Sequence, residues 1–147
     1  MIVETLSKLF ERDLQKLKTE INLYKNEANI WRVDKQIANS AGNLCLHLIG
    51  NLNTYIGAEF GKTGYVRNRD LEFSQKDVSR TELVEKIDGT IEVLHTSLGL
   101  LNDGDLEKEY PQLVLGEKTS TGYFLVHLAV HLGYHLGQVN YHRRLLD

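Results

Sequence analysis

The sequence predicts an all-α protein, a four-helix bundle with two long linkers between helices. Apolar residues recur at steps of three and four in four long segments, which is the period of an amphipathic helix. Two stretches between these segments, residues 62–77 and 104–118, are longer than a tight turn requires. A chain of 147 residues also has the usual size of one domain. We therefore expect residues 1–147 to form a single bundle domain.

The first two helices are predicted from their apolar positions. The first covers about residues 2–25 and has lysines and glutamates between its apolar residues, which are Val3, Leu6, Phe10, Leu14, Leu17, Ile21 and Tyr24. A turn over residues 26–34 follows. The second helical pattern then runs through Ile37, Leu44, Leu48, Leu52 and Tyr55. We expect this helix to end near Gly57 to Gly61.

The last two helices have clearer beginnings. Ser79-Arg80-Thr81-Glu82 has the pattern of a capping box, so the third helix is predicted to start there. Its apolar positions are Leu83, Ile87, Ile91, Leu94, Leu98 and Leu101. The fourth helix starts near residues 119–121 and runs to the C-terminus. The linker before it contains the only proline, Pro111, and a short β-prone run, Leu113-Val114-Leu115.

Composition excludes several classes of partner and compartment. With 17 basic and 20 acidic residues, a net charge of −3 and no basic cluster, the chain does not suit nucleic acid or an anionic membrane. Cys45 is the only cysteine, which favours a reducing compartment. Residues 1–15 lack the features of a signal or transit peptide, and no apolar run is long enough to span a membrane. We expect a soluble, cytoplasmic protein.

The final helix carries four of the six histidines: His127, His131, His135 and His142. Their spacings of four, four and seven place them on one side of a helix, beside its apolar face. A catalytic metal site needs three protein ligands and an open position, so a third ligand must come from another helix. His47 is the best candidate because its helical position points into the bundle, whereas His95 is less well aimed. Spacing alone does not choose between the pairs 127/131 and 131/135, and plain packing of these histidines remains an alternative.

Three motifs resemble a known family. They are His47-Leu48-Ile49-Gly50-Asn51, the linker from Tyr65 to Phe73 with Arg67-Asn68-Arg69-Asp70, and the run from His131 to Gln138. In this order they resemble the DinB-like (YfiT-like) superfamily of small metal-binding four-helix bundles, over nearly the whole chain. The resemblance implies a divalent metal, commonly nickel, zinc or iron, bound by His47, His131 and His135. The resemblance chooses the pair 131/135 over 127/131. In the family, the second histidine of the pair precedes a Gly-Gln, which here is Gly137-Gln138.

Four other residues are candidates for the site. Tyr134 is a candidate catalytic residue that could supply a proton or orient substrate, although such a tyrosine also suits a core position. Arg67 and Arg69 are candidates to bind a substrate carboxylate; alternatively, the charged residues of their linker pair with one another and Phe73 anchors it. Gln138 is a candidate to contact substrate or to hydrogen-bond near the ligands; alternatively, it ties the fourth helix to a neighbouring loop. His127 and His142 flank the ligand pair, either as packing residues or as members of the site.

The resemblance implies an enzyme that transfers a low-molecular-weight thiol to an electrophile. A metal-dependent hydrolase is the variant in the same class, but spacing places no acidic residue near the ligands to act as a general base. A different class is a non-catalytic bundle that binds metal for stability or sensing, or none at all. Superfamily members are often dimers, so the resemblance also allows a homodimer.

Overall fold

The computed structural model describes all 147 residues and is all-helical, as the sequence predicts. The four longest elements are α1 (Ile2–Leu23), α2 (Ala41–Leu52), α5 (Arg80–Leu98) and α6 (Thr121–Leu146). A π-helical turn (Asn53–Ala58) and the short helix α3 (Glu59–Gly61) continue α2 without a break. This continuous helical segment ends at Gly61, within the range predicted for the end of the second helix.

Shorter elements occupy segments that were predicted to be linkers or turns. Helix α4 (Arg69–Ser74) lies within the 62–77 linker, and 3-10 helices cover Glu27–Trp31 and Asp103–Glu107. No strand forms at Leu113-Val114-Leu115; a single antiparallel bridge joins Glu109 to Ser120 instead.

Serine caps fix where two of the long helices begin. Helix α2 starts later than the pattern through Ile37 predicted, because the Ser40 side chain accepts the backbone N–H of Asn43 and caps the helix there. Helix α5 starts at the predicted place, where Ser79 accepts the N–H of Glu82 at 3.1 Å. The reciprocal bond from the Ser79 N–H to the Glu82 side chain, which a full capping box requires, is not formed.

The core lies between the four long helices. Helices α1 and α2 each pack against both α5 and α6. Side chains with essentially no exposed surface come from each of these four elements, for example Leu14, Leu48, Ile87 and Leu125. Because α2 packs directly against α6, side chains on their facing sides lie close together, and this contact positions the histidines.

The C-terminal end of α6 is tied to the connection between α1 and α2. His142 Nε2 lies 2.7 Å from the Arg32 carbonyl oxygen, and its Nδ1 lies 2.6 Å from the Tyr24 hydroxyl. The Asp147 carboxylate accepts the backbone N–H of Lys25 at 2.8 Å. These bonds fix the rotation of α6 relative to α1.

One side of α6 is apolar and exposed. Its residues are Tyr123, Val126, Val130, Tyr134, Tyr141 and Leu145, each 48 to 69% exposed; we call this set the α6 row. No Asp, Glu, Lys or Arg occurs between residues 121 and 142. Even so, none of the helices has the length and apolar character needed to cross a membrane.

Candidate metal centre

Three histidines from two helices meet between α2 and α6. His131 and His135 lie one turn apart on α6, and His47 projects from the middle of α2. Their potential ligand nitrogens all lie within 4.8 Å of one another. His47 is only 6% exposed, while His131 and His135 are partly buried. The cluster therefore lies at the edge of the core, with one side accessible.

The nitrogens have the spacing that a metal requires. His131 Nε2 lies 3.2 Å from His47 Nε2 and 3.1 Å from His135 Nε2. Imidazole nitrogens bind zinc at 2.0–2.1 Å, so two ligand nitrogens stand about 2.8–3.0 Å apart at octahedral angles and about 3.3–3.4 Å apart at tetrahedral angles. The rings of His131 and His135 are nearly perpendicular, with an interplanar angle of 89°. The donor set thus fits a small divalent ion.

In His47 and His135, a hydrogen bond at Nδ1 leaves Nε2 as the nitrogen that can bind a metal. His135 Nδ1 lies 2.7 Å from Gln138 Oε1, and His47 Nδ1 lies 3.0 Å from Glu72 Oε1. Both oxygens are acceptors, so each Nδ1 carries its hydrogen and donates it. The Nε2 lone pairs of His47 and His135 are therefore directed at the common centre, an arrangement usual in histidine metal sites. His131 Nδ1 is buried and has no partner.

Glu72 is a candidate site residue that spacing did not reveal. Its side chain is 6% exposed and forms a two-pronged ion pair with Arg67, with Nε to Oε2 and Nη2 to Oε1 both at 2.8 Å. Burial raises the pKa of Glu72, but hydrogen bonds from His47 and Arg67 outweigh it and leave the pKa below its ordinary value. Glu72 is therefore a carboxylate that orients His47. Spacing placed no acidic residue near the ligands, but the packing of helix α4 against α2 brings this one there.

Gly50 makes room for this carboxylate. A Cβ added at Gly50 would lie about 2.0 Å from Glu72 Oε2, far closer than atoms can approach. Gly50 is one turn after His47, and both belong to the motif that carried the family resemblance. The absence of a side chain at this position is the one local sign in the sequence that another group packs there.

Two of the histidines are held in their neutral form. Burial lowers the pKa of His131 to about 4, with repulsion from His135 and His47 as a further cause. Burial also lowers the pKa of His135, although the hydrogen bond with Gln138 opposes this. Neutral imidazole is the form that binds metal, so at neutral pH no proton must be removed from these rings before an ion binds.

The other candidate site residues lie around the cluster. Arg67 Nη2 is 3.4 Å from His47 Nδ1, and its guanidinium is engaged by Glu72. Arg69 is exposed and lies over the Phe73 ring at 5.3 Å. Tyr134 is 66% exposed, and its ring centroid lies 5.4 Å from that of His135. Gln138, also exposed, bonds to His135 as described.

The remaining histidines lie outside the cluster. His127 stacks on the Phe124 ring, with an interplanar angle of 10°, and on its other neighbour His131, with ring centroids 6.3 Å apart. His142 is buried, and both of its ring nitrogens are hydrogen-bonded to groups from the α1 side of the molecule. His95 is exposed on α5.

A comparison with protein-family models finds one match over residues 2–147, to a family described as a protein of unknown function (DUF1572). Among curated proteins, no match was found.

Proposed function

The chain belongs to the DUF1572 family, and from this membership and its site we propose that it is a DinB-like four-helix-bundle domain that binds a divalent metal and transfers a small thiol to an electrophile. His47, His131 and His135 are the proposed ligands, and zinc, nickel or iron is the proposed ion. The four long helices would form the bundle, with the site between α2 and α6.

The convergence of three Nε2 atoms supports the metal site best. Lone pairs of neutral imidazoles repel one another, so bringing them this close is unfavourable without a cation or a shared proton. Glu72 and Gln138 occupy the opposite nitrogens of two rings and so direct these lone pairs inward. Such supporting bonds are typical of built metal sites, where their loss costs about 10- to 100-fold in metal affinity.

Three histidine ligands suit thiol chemistry because they leave further metal positions open. A bound divalent ion would supply the positive charge that keeps a small thiol deprotonated near neutral pH. In the transfer, the sulfur forms a bond to the electrophilic carbon, the leaving group departs with its electron pair, and the thiol proton passes to solvent. Tyr134, whose ring lies beside that of His135 at the exposed side of the site, would hydrogen-bond the leaving group.

Hydrolysis is the alternative reaction for the same site. It would require a base to take a proton from the attacking water. Glu72 is the only acidic side chain hydrogen-bonded to any of the three histidines, but it faces Nδ1 of His47, on the side away from the converging nitrogens, and is paired with Arg67. Thiol transfer, which needs no such base, is the better-supported reaction.

Metal content and thiol conjugation test this proposal together. We expect purified protein to bind about one equivalent of zinc or nickel, and the His47→Ala variant to lose most of this binding. His95→Ala is the matched control, since His95 is exposed on α5 and lies outside the cluster. The metal-loaded protein should accelerate conjugation of glutathione or bacillithiol to a generic electrophile. Equal metal content in both variants would refute the site, and no acceleration above the metal-free protein would refute the reaction.

We make two further proposals: the protein forms a homodimer, and it is cytoplasmic. The six side chains of the exposed α6 row are uncharged, with the Arg144 guanidinium over the Tyr141 ring near its C-terminal end. The row supports a homodimer, because an exposed apolar helix face can pair with a second copy of itself. Cys45 is buried and unpaired, which suits a reducing, cytoplasmic location.

A further inference from the structure

A cleft of about 570 Å³ begins at the candidate metal centre and follows α6 toward its C-terminus. His135 and Gln138 form its inner end, and residues 36–39, which precede α2, form the opposite wall. Its volume is within the range of about 300–1,000 Å³ typical of small-molecule sites. A molecule in the cleft would therefore lie directly beside one of the proposed metal ligands.

The lining of the cleft is uncharged. Apolar and aromatic side chains of Ile37, Leu44, Tyr141 and Leu145 form most of its walls, and the side-chain amides of Gln36 and Asn39 lie among them. No Asp, Glu, Lys or Arg is among the lining residues. Beyond the inner end, where a bound ion would attract anions, a charged ligand group would thus lose its hydration without gaining an ion pair, which is costly.

His142 also lines the cleft and does not make it charged. Its ring nitrogens are both satisfied, by the Tyr24 hydroxyl and the Arg32 carbonyl. Burial lowers its pKa below the usual value, so the ring is neutral at pH 7. The ring therefore presents carbon atoms rather than free polar groups to a ligand.

We propose that this cleft binds the body of an uncharged, largely apolar or aromatic co-substrate, with its reactive atom toward His135. This inference rests on the proposed function and adds to it the chemical class of the electrophile. The amides of Gln36, Asn39 and Gln138 can hydrogen-bond neutral polar substituents such as nitro, carbonyl or hydroxyl groups. Anionic electrophiles of the same shape are disfavoured.

A matched pair of unreactive aromatic probes tests the cleft without any thiol present. 1,3-Dinitrobenzene is neutral, and 3,5-dinitrobenzoate is the same ring with one carboxylate. Binding to the metal-free protein is measured by NMR titration, so that the carboxylate has no ion to bind, following the backbone amides of residues 36–39 and 141–145. We expect the neutral probe to shift these amides and to bind at least about tenfold more tightly than the anion, a difference of about 1.4 kcal/mol. Equal or tighter binding of the anion would overturn the inference.

Ala38 provides the matched variants, because it lines the cleft, is exposed and lies outside the proposed ligands. Ala38→Trp should fill the cleft and weaken binding of the neutral probe by about tenfold or more, whereas Ala38→Ser should not. Zinc content should be unchanged in both. Wild-type affinity in Ala38→Trp would overturn the inference.

The thiol assay separates this inference from the proposed function. Neutral 1-chloro-2,4-dinitrobenzene and anionic 4-chloro-3,5-dinitrobenzoate form a reactive pair of the same kind. If the neutral probe binds the cleft but no conjugation occurs, the proposed reaction fails and the cleft assignment stands. If conjugation occurs equally with both electrophiles and is unaffected by Ala38→Trp, the reaction stands and the cleft assignment fails.

Discussion

The candidate centre depends on which nitrogen of each imidazole is free, and single residues decide this. Gln138 could be related to His135 from the sequence, because residues three apart on a helix are neighbours. Glu72 could not be related to His47 in this way, since 25 positions separate them and their contact depends on how α4 packs on α2. The sequence allows the charged residues of the linker to pair with one another, as Arg67 and Glu72 do, but it does not relate Glu72 to His47.

Glu72→Gln tests the orienting role of the carboxylate. Glutamine keeps an oxygen that can accept the N–H of His47, but it removes the negative charge and leaves the Arg67 guanidinium, 14% exposed, without its counter-ion. We expect the affinity for zinc to fall about 10- to 100-fold. Competition with a chromophoric chelator measures this. Asp70→Asn, an exposed acid in the same helix, is the control and should bind zinc as the wild type does.

Gly50→Ala tests the close approach of α4 to α2. The added methyl group would overlap Glu72 Oε2, so either the carboxylate or α4 must move. We expect a loss of about 1–3 kcal/mol in unfolding free energy from overpacking, together with weaker zinc binding. Urea denaturation and zinc titration measure these effects.

Gly89→Ala is the matched control for Gly50→Ala. Gly89 lies within α5 and is exposed, and nothing approaches its missing Cβ within 4 Å. There alanine should stabilise the protein by about 0.5–1 kcal/mol, through its better helix propensity. If both variants behaved alike, Gly50 would not be needed for the contact with Glu72.

The sequence predicted which long helices exist better than it predicted where helices begin and end. The four long helices follow from the period of their apolar residues, which reports directly which face is buried. The start of α2 was misplaced because Ile37 fits the period, while Ser40 forms the actual cap. Helix α4 was missed because six residues are too few to show a period, and its Asn68 cap resembles ordinary loop chemistry.

The attachment of α6 to the α1 side should depend on pH through His142. Burial lowers the pKa of His142 in the folded protein, so the unfolded chain takes up a proton more readily. The stability that this residue contributes is therefore complete above the unfolded pKa of about 6.5 and decreases as the pH falls below it.

Comparison of metal-free wild type with His142→Gln isolates this effect, since the other histidines titrate alike in both proteins. At pH 7.5 the wild type should be more stable by about 1–3 kcal/mol, because the variant disturbs the bonds to Tyr24 and Arg32. The difference should shrink steadily toward pH 5. Urea denaturation at several pH values, in the presence of a chelator, measures it. A difference independent of pH would contradict this role for His142.

In the whole molecule, α6 contributes residues both to the buried core and to the exposed surface. Its inner side supplies His131 and His135 together with core residues, and its outer side carries the α6 row. The sequence predicted the inner side correctly, because buried positions repeat with the helical period. The row follows the same period, so from sequence alone it could not be told apart from a second buried face.

The α6 row is the surface on which we expect a second copy to bind. From Tyr123 to Leu145 it extends about 33 Å at 1.5 Å per residue, and it carries no charge of its own. Tyr141 and Leu145 also line the cleft, so a second copy on the row would form a further wall around a bound ligand. Self-association would thus exclude water from the site as well as cover apolar surface.

Val130→Glu tests self-association, because it places a charge within the row, between Val126 and Tyr134. We expect the wild type to have twice the chain mass by light scattering at micromolar concentration, and Val130→Glu to have the mass of one chain. Val66→Glu introduces the same charge at an apolar residue that is 88% exposed and outside the row, so it should leave the dimer intact. A monomeric wild type, or dissociation by both variants, would rule out the row as the interface.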